Sequence, residues 1–241
     1  MRIKVFFALI ILALTISQCK KNDLTFSGSK VNVLTNFRGG YIDTYTYGSD
    51  GNVTLIQRNI GDKVVYLYSG DTVIMQNFSG GTVLNSETNY VLHGQTCADT
   101  SFGKLQAQYS SAKYAYNSDN QLTEQKIYSS GTLTSLSEYT LVNKNTTELV
   151  TTTYPSNAVS YYYYSYNVSN TNTIGSQNFG KGFLGFGNVN PINTVVQLAQ
   201  NLDTVGIITY RYHYDGNSNI DTMASYDRNG HLVDSMAYTY Y

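Results

Sequence analysis

The stretch from Ile207 to Tyr241 constrains the fold more than any other part of the chain. Tyr210, Tyr212 and Tyr214 recur at every second position, and a polar turn follows at Asp215 to Asn219. A second run, Ile220 to Tyr226, turns at Asp227-Arg228-Asn229-Gly230 into a third, His231 to Tyr241. A period of two puts alternate side chains on opposite faces of a pleated strand. Asn229-Gly230 supplies residue types that tolerate a positive φ, as a tight hairpin requires. The stretch therefore reads as three antiparallel strands in a meander, with Tyr210, Tyr212 and Tyr214 in one environment and Arg211 and His213 in the other.

The same pattern recurs upstream. Tyr45-Thr-Tyr47 is followed by Asp50 and Val53, Tyr66-Leu-Tyr68 by Asp71 and Ile74, and Tyr114-Ala-Tyr116 by Asp119 and Leu122. Tyr212-His-Tyr214 is followed at the same offsets by Asn217 and Ile220, and Tyr226 by Asn229 and Leu232. The spacing predicts that the tyrosines share one face, that the Asp or Asn at the third position caps the turn, and that the apolar residue opens the return strand. The copies are unevenly spaced, which argues for degenerate hairpins and against a solenoid of fixed period.

Composition agrees with an all-β chain. There are 24 Tyr, 20 Gly, two Pro and no Trp. Tyrosine and threonine favour strands, and scarce proline leaves ladders uninterrupted. Thr132 to Tyr154 and Ala158 to Val168 read as further strands, and Asn178 to Asn190 as a long glycine-rich loop. Pro191 to Leu202 is open. Ile192, Val195, Val196 and Ala199 fit a helical stripe after an Asn-Pro start, whereas Thr194 to Val196 suits a strand. The expected fold class is an antiparallel β-meander of consecutive hairpins, strongly curved or barrel-like, with at most one short helix.

The start of the chain has a different character. Arg2 and Lys4 precede an apolar run from Val5 to Ile16, too short for a helix that crosses a bilayer with about 20 residues. It fits a secretory signal. The junction Leu14-Thr15-Ile16-Ser17-Gln18-Cys19 resembles a bacterial lipoprotein cleavage box, in which Cys19 becomes the lipidated first residue. Gln18 departs from the usual small residue, so cleavage after Ser17 is the alternative. The expected organisation is a signal at residues 1–18, a lipidated tether at 19–34 and one all-β domain at 35–241, with ordered structure beginning near Val31. Loss of the two signal cations makes the mature chain more acidic than the whole-chain charge of −1. That is no footprint for nucleic acid, which calls for a basic patch. With Cys19 acylated, Cys97 has no disulfide partner among the two cysteines.

Tyr45-Thr-Tyr-Gly-Ser-Asp-Gly-Asn-Val, Tyr212-His-Tyr-Asp-Gly-Asn and Tyr226-Asp-Arg-Asn-Gly-His-Leu resemble the YxYDxxGxL hairpins of tyrosine–aspartate repeat proteins. With the signal and the Cys19-Lys-Lys-Asn-Asp23 leader, the chain is similar to small Bacteroidota lipoproteins of unassigned function that carry such hairpins, some of them porin-like β-meanders. The resemblance spans most of residues 40–241. It implies a fold and a place in the envelope, on the periplasmic or the cell-surface side of the outer membrane, and it carries over no catalytic residue.

A search for chemistry finds competing structural explanations. Gly180-Lys-Gly182-Phe-Leu-Gly185 spells GxGxxG but lacks the strand–helix context of a dinucleotide site, and reads as a loop whose Phe183, Leu184 and Phe186 fold back on the sheet. Asp215-x-Asn217-x-Asn219 begins like a calcium loop but has Ile220 where glycine is needed and no closing glutamate. It reads as a capped turn. His93, His213 and His231 lack metal-ligand spacing, and His213 should face solvent. Cys97 with nearby His93 is a conceivable nucleophile pair, but a free cysteine is usually a small buried apolar residue.

The remaining candidates are the surplus tyrosines Tyr161, Tyr162, Tyr163, Tyr164 and Tyr166, which either pack or form a platform for stacking on a ligand ring. No catalytic residue, metal or cofactor is expected. The expected function is a non-enzymatic binding or accessory module, anchored to the membrane through its lipid and serving an envelope protein. The alternative is direct capture of a glycan through exposed tyrosines.

Overall fold

The computed structural model describes residues 29–241 except 94–96, 106–107, 176–178, 180 and 186. The strands of the first half are β1 (Val31–Asn36), β2 (Tyr41–Tyr47), β3 (Val53–Arg58), β4 (Lys63–Ser69), β5 (Thr72–Ser79), β6 (Val83–His93), β7 (Cys97–Leu105) and β8 (Gln108–Tyr116). Those of the second half are β9 (Leu122–Ser129), β10 (Thr132–Val142), β11 (Asn145–Thr153), β12 (Ala158–Tyr166), β13 (Ile192–Leu198), β14 (Thr204–Tyr214), β15 (Ile220–Tyr226) and β16 (Leu232–Tyr240). Each strand pairs antiparallel with its sequence neighbours, and β1 pairs with β16, so the 16 strands close into a barrel. The all-β meander is as expected, and its curvature runs to full closure.

Ordered structure begins at Val31 as expected, one domain boundary differs, and one open segment is decided. Residues 31–34 were assigned to the tether, yet Val31 pairs with Tyr240 and Leu34 with Tyr238, so they form the strand that closes the barrel. Local patterning carries no signal for that pairing, because its partner lies at the far end of the sequence. The ambiguous segment after Pro191 is strand β13, with Val195 opposite Ile208. A single 3-10 turn, Gly182–Leu184, is the helical structure among the described residues.

A common turn joins many of the hairpins. In 215–219 the Asp215 amide donates to the Asn219 carbonyl at 2.9 Å and the Ser218 amide to the Asp215 carbonyl at 3.0 Å. The same pair of bonds recurs in 48–52, 58–62, 117–121, 199–203 and 227–231. The fourth residue is left-handed each time, from Asn120 at φ 59° to Gly61 at φ 98°. This is a type I turn closed by a left-handed residue and a bulge, as three-residue hairpin loops adopt. Gly230, at φ 80°, meets that requirement where Asn229 was expected to share it.

The capping residue also differs from the expected one. Asp215 Oδ1 accepts from the amides of Asn217 and Asn219, both at 2.8 Å, and Asp227 Oδ1 from those of Asn229 and His231 at 2.8 and 2.9 Å. Asn117 serves the 117–121 turn likewise. The cap is therefore the residue directly after the tyrosine, not Asp119, Asn217 or Asn229 two positions later. Asp50, beside Gly48, and Asn201, in the 199–203 turn, cap from the third position, accepting from the Asn52 and Asp203 amides at 3.1 and 3.2 Å. A carboxylate at the first turn position reaches two amides of the loop that follows it, whereas one at the third position has passed them.

The tyrosines explain how the strand ends are held. Tyr47, Tyr68, Tyr116, Tyr166, Tyr212 and Tyr240 donate their hydroxyls to the carbonyls of Val31, Val53, Ala98, Thr146, Ile192 and Ile220, at 2.5 to 3.1 Å. Each acceptor lies at or next to the start of the strand before the tyrosine's own. In six hairpins one phenol thus ties two strands together at the same barrel mouth. Tyr226 is the exception among the sequence copies: it lies at the other mouth, under the Arg211 guanidinium at 4.6 Å. Removing one such hydroxyl leaves a carbonyl short of a partner, so Tyr68→Phe should lower unfolding free energy by about 1 kcal/mol in urea titrations. An unchanged midpoint would show that the hydroxyl bond adds nothing beyond ring packing.

Candidate functional site

The barrel interior is the concave surface this fold offers, and its two ends differ. Strand parity places Tyr45, Tyr66, Tyr90 and Tyr238 inside, all buried, at the mouth where β2, β4, β6 and β16 end. The connection between β12 and β13 folds into this mouth. Phe183, 2% exposed, sits 4.6 Å from the Tyr90 ring and 6.5 Å from that of Tyr66. Phe179 packs edge-on to Tyr45 at 6.0 Å and lies 6.5 Å from Tyr238, while its carbonyl accepts the Tyr66 hydroxyl at 3.3 Å.

Polar contacts fix the rest of the plug. Thr173 Oγ1 accepts from the Ile220 amide at 2.8 Å, and Asn188 Oδ1 from the Thr146 amide at 2.7 Å. The Asn190 amide donates to Asn145 Oδ1 at 3.1 Å. Gly185 passes so close to the wall that a Cβ would stand 2.5 Å from the Asn120 carbonyl oxygen. These partners belong to β2, β4, β6, β11, β15, β16 and the 117–121 turn, so the plug reaches right round the mouth. The expectation that Phe183 and Leu184 fold back on the sheet holds; both pack with the core. Gly180 and Phe186 lie outside the described residues. Gly182 and Gly185 serve a plug, with a strand, not a helix, after them.

Burial raises the phenol pKa values across this mouth. Desolvation pushes Tyr66 up to about 12, and desolvation together with the neighbouring Tyr139, Tyr162 and Tyr210 pushes Tyr164 up to about 12. Tyr45, Tyr90 and Tyr238 move in the same direction, again chiefly through burial. The mouth is a neutral aromatic packing zone in which the phenols act as hydrogen-bond donors.

Among the described residues the opposite mouth has no such cover. Its described connections are 37–40, 59–62, 80–82, 130–131, 154–157, 199–203 and 227–231, all too short to cross it. The inner wall here is polar. Asn77 donates to Ser86 at 2.8 Å, Ser137 and Thr151 share a bond at 3.2 Å, and Gln197 donates to the Tyr162 hydroxyl at 3.1 Å. Gly206 faces inward opposite Gln197, and a Cβ there would meet nothing within 4 Å. The lumen is open at that point.

An inward-facing ion pair stands at this mouth. Arg58 makes two bonds to buried Asp43, at 2.8 and 2.9 Å, and its guanidinium lies 3.7 Å over the Tyr41 ring. Side-chain hydrogen bonding to Asp43 raises the Arg58 pKa further. The alternation Tyr41-x-Asp43-x-Tyr45 could have placed Asp43 in the interior row from sequence. Its partner, on the next strand, has no such signal.

The tyrosine candidates divide by strand parity. Tyr162 and Tyr164 pair with inward Gln197 and Val195, whereas Tyr161 and Tyr163 alternate onto the outer wall, Tyr163 at 39% exposure. Tyr166 bonds inward to Thr146. No one face presents all five. Tyr210, Tyr212 and Tyr214 do share the interior, with Arg211 and His213 outside, as alternation required.

Each histidine meets an aspartate. His93 Nδ1 is 3.2 Å from Asp99, His213 Nδ1 2.7 Å from Asp221, and His231 Nδ1 3.2 Å from Asp227. These are exposed surface pairs, and His213 faces solvent as expected. No group of three metal-ligating residues occurs among the described residues. The Asp215 carboxylate, read from sequence as the head of a calcium-like loop, is engaged by its own turn, whose amide bonds hold its pKa below the usual range. Cys97 is opposite His93 on the β6–β7 ladder, and the thiol is buried at 3% exposure beside a cleft of about 210 Å³. Cys19 lies outside the described residues.

The outer wall carries charge at mid-strand. Lys113 stands opposite Lys126 and Glu124 opposite Glu138, with Lys126 and Glu124 in contact at 2.7 Å. A lipid-facing Lys or Arg costs about 2–4 kcal/mol at the bilayer midplane of a transmembrane barrel. β1 and β3 have six residues each, against the roughly 9–11 that span a bilayer as a tilted strand. No helix among the described residues is long and apolar enough to cross a membrane.

The class these features define is a closed, antiparallel, internally plugged β-barrel. No family model and no curated protein matches the chain. Among solved structures it is similar to a porin-like protein from Bacteroides uniformis, with a TM-score of 0.67 at 15% identity over 90% of this chain and 99% of that one. It is also similar to a porin-like protein from Bacteroides vulgatus, with a TM-score of 0.65 at 15% identity over 88% and 99%. At that identity the likeness is one of fold.

Proposed function

We propose that this chain is a non-enzymatic binding module of the cell envelope, held at the outer membrane by a lipid on Cys19, with its barrel in water. The observation that carries this reading is the asymmetry of the barrel: one mouth is filled by the chain's own plug, and the other has only short turns around it. The tether enters at the plugged mouth, where the Lys30 carbonyl accepts the Tyr241 amide at 3.1 Å. The leader from Cys19 to Lys30 is short enough to keep that mouth within about 40 Å of its lipid. The open mouth then faces away from the bilayer, towards an envelope partner or ligand. The charged outer wall and the short strands of β1 and β3 support a barrel that stands outside the hydrocarbon.

Photo-crosslinking in intact producing cells tests this. A photoreactive residue in place of Arg228, in a turn at the open mouth, should give discrete adducts. The same residue in place of Ser49, at the plugged mouth, should give lipid adducts or none. Discrete protein or glycan adducts at Ser49 alone would reverse the orientation and remove the open mouth as the binding surface.

A further inference from the structure

The chemistry of the open chamber narrows what it could hold. Among the described strand residues, the charges that face the lumen are Asp43, Arg58 and Asp234. Asp43 and Arg58 neutralise one another, and Asp234 accepts from Asn36 at 3.1 Å. Among the described strand residues no lysine and no glutamate faces inward, because Lys63, Lys104, Lys113 and Lys126 and the glutamates alternate onto the outer wall. The wall above the plug instead presents hydroxyls and amides, among them Ser110, Gln125, Thr151, Thr153 and Gln197. Hydroxyls and amides both donate and accept, so they match a ligand that does the same at every position. Tyr162 adds an aromatic ring beside Gln197.

A barrel of 16 strands is wider than its own side chains fill. Gly206 shows the space directly, since nothing stands within 4 Å of where its Cβ would be. A glycine inside a strand marks a bulge, a bend or a close approach; Gly206 borders the bulge at which β13 and β14 shift register, and its inner side is left clear. Peptide partners usually supply apolar anchors to an apolar interface core. The buried rings at the floor of this lumen, Tyr45, Tyr66, Tyr90 and Tyr238, are already engaged by Phe179 and Phe183 of the plug.

We infer that the chamber between plug and open mouth binds a neutral oligosaccharide, entering past Gly206 and the Gln197–Tyr162 pair. This rests on the open-mouth reading above and adds the ligand class. It also moves the sugar site from the Tyr161–Tyr166 strand surface into the lumen.

The test uses the full-length protein, extracted in mild detergent, on an immobilised panel of neutral glucan, mannan, xylan and galactan oligosaccharides, with uronic-acid and sulfated ones alongside. The expected result is retention on at least one neutral oligosaccharide, weakened at least tenfold by Gly206→Trp at unchanged melting temperature. Gly216→Trp, in a turn at the plugged mouth with open space around it, should bind as the parent does. If Gly206→Trp melts lower, Gly206→Gln intrudes less and should still weaken binding. Retention of anionic oligosaccharides alone, no retention at all, or equal retention by both Gly206 variants would overturn the inference. Arg228 adducts persisting in cells without any panel binding would overturn the ligand class and leave the open-mouth reading standing, whereas loss of both would remove both.

Discussion

Phe183→Ala should destabilise the protein by about 3–5 kcal/mol, the range for deleting a buried aromatic side chain. Phe183 is the residue through which the β12–β13 connection grips the barrel, in contact with Tyr90 and near Tyr66. Truncation leaves a cavity beside the Tyr90 ring. Because the strand ladder is closed on itself, the effect should be local before it is global. Hydrogen exchange should rise first in the plug and in the starts of β3 and β5, with the β9–β12 ladder still protected. A variant that unfolds in one step at the parent's denaturant midpoint would show that the plug is held elsewhere, through Asn188, Asn190 and Thr173.

The second large effect is alkaline unfolding. Burial raises the phenol pKa values in the folded barrel, Tyr66 and Tyr164 up to about 12 from an ordinary value of 10.0. A raised folded pKa means that the folded state holds the proton more tightly. Its contribution to stability is complete below pH 10 and is lost as the pH climbs from there through the folded values. Two units at Tyr66 correspond to about 2.7 kcal/mol, and Tyr45, Tyr90 and Tyr238 add in the same direction. The phenolate absorbance should therefore rise steeply and together with loss of β-sheet circular dichroism, with its midpoint above pH 10. Most tyrosines titrating near pH 10 while the fold persists would contradict the buried, hydrogen-bonded role assigned to them.

Much of this was legible in the sequence because the strands obey a local rule. Tyr210, Tyr212 and Tyr214 announce a strand and its faces, and Tyr45, Tyr66 and Tyr114 repeat the announcement. The rule does not say which face is water. Tyrosine is equally at home in a core and on a surface, and only closure of the sheet puts it inside. Closure depends on Val31 to Asn36 meeting Met236 to Tyr240, a contact with no local signature. The same applies to Arg58 and Asp43, which meet across two strands.

Other parts were misread for identifiable reasons. The offset from tyrosine to Asp119 or Asn217 is real as spacing, but the cap is the residue next to the tyrosine, because only that position reaches both loop amides. Tyr226 shares the spacing at the other end of the barrel, where it faces outward under Arg211. The segment after Pro191 was not misread but open, fitting helix and strand equally, and pairing with β12 and β14 decides for strand. The glycine-rich loop was recognisable as a loop and its phenylalanines as residues that fold back. That it fills one mouth follows from the sheet being a barrel at all.

The central claim is that the charged outer wall faces water, so that a chain without the lipid needs no bilayer. Residues 29–241 should be produced without the leader and centrifuged at high speed in detergent-free buffer. The barrel is closed and its plug internal within those residues, so the account predicts a folded monomer that stays in the supernatant with full β-sheet circular dichroism. Recovery only from membranes, or only with detergent, would mean that the wall carrying Lys113, Lys126, Glu124 and Glu138 lies against lipid, and would contradict it.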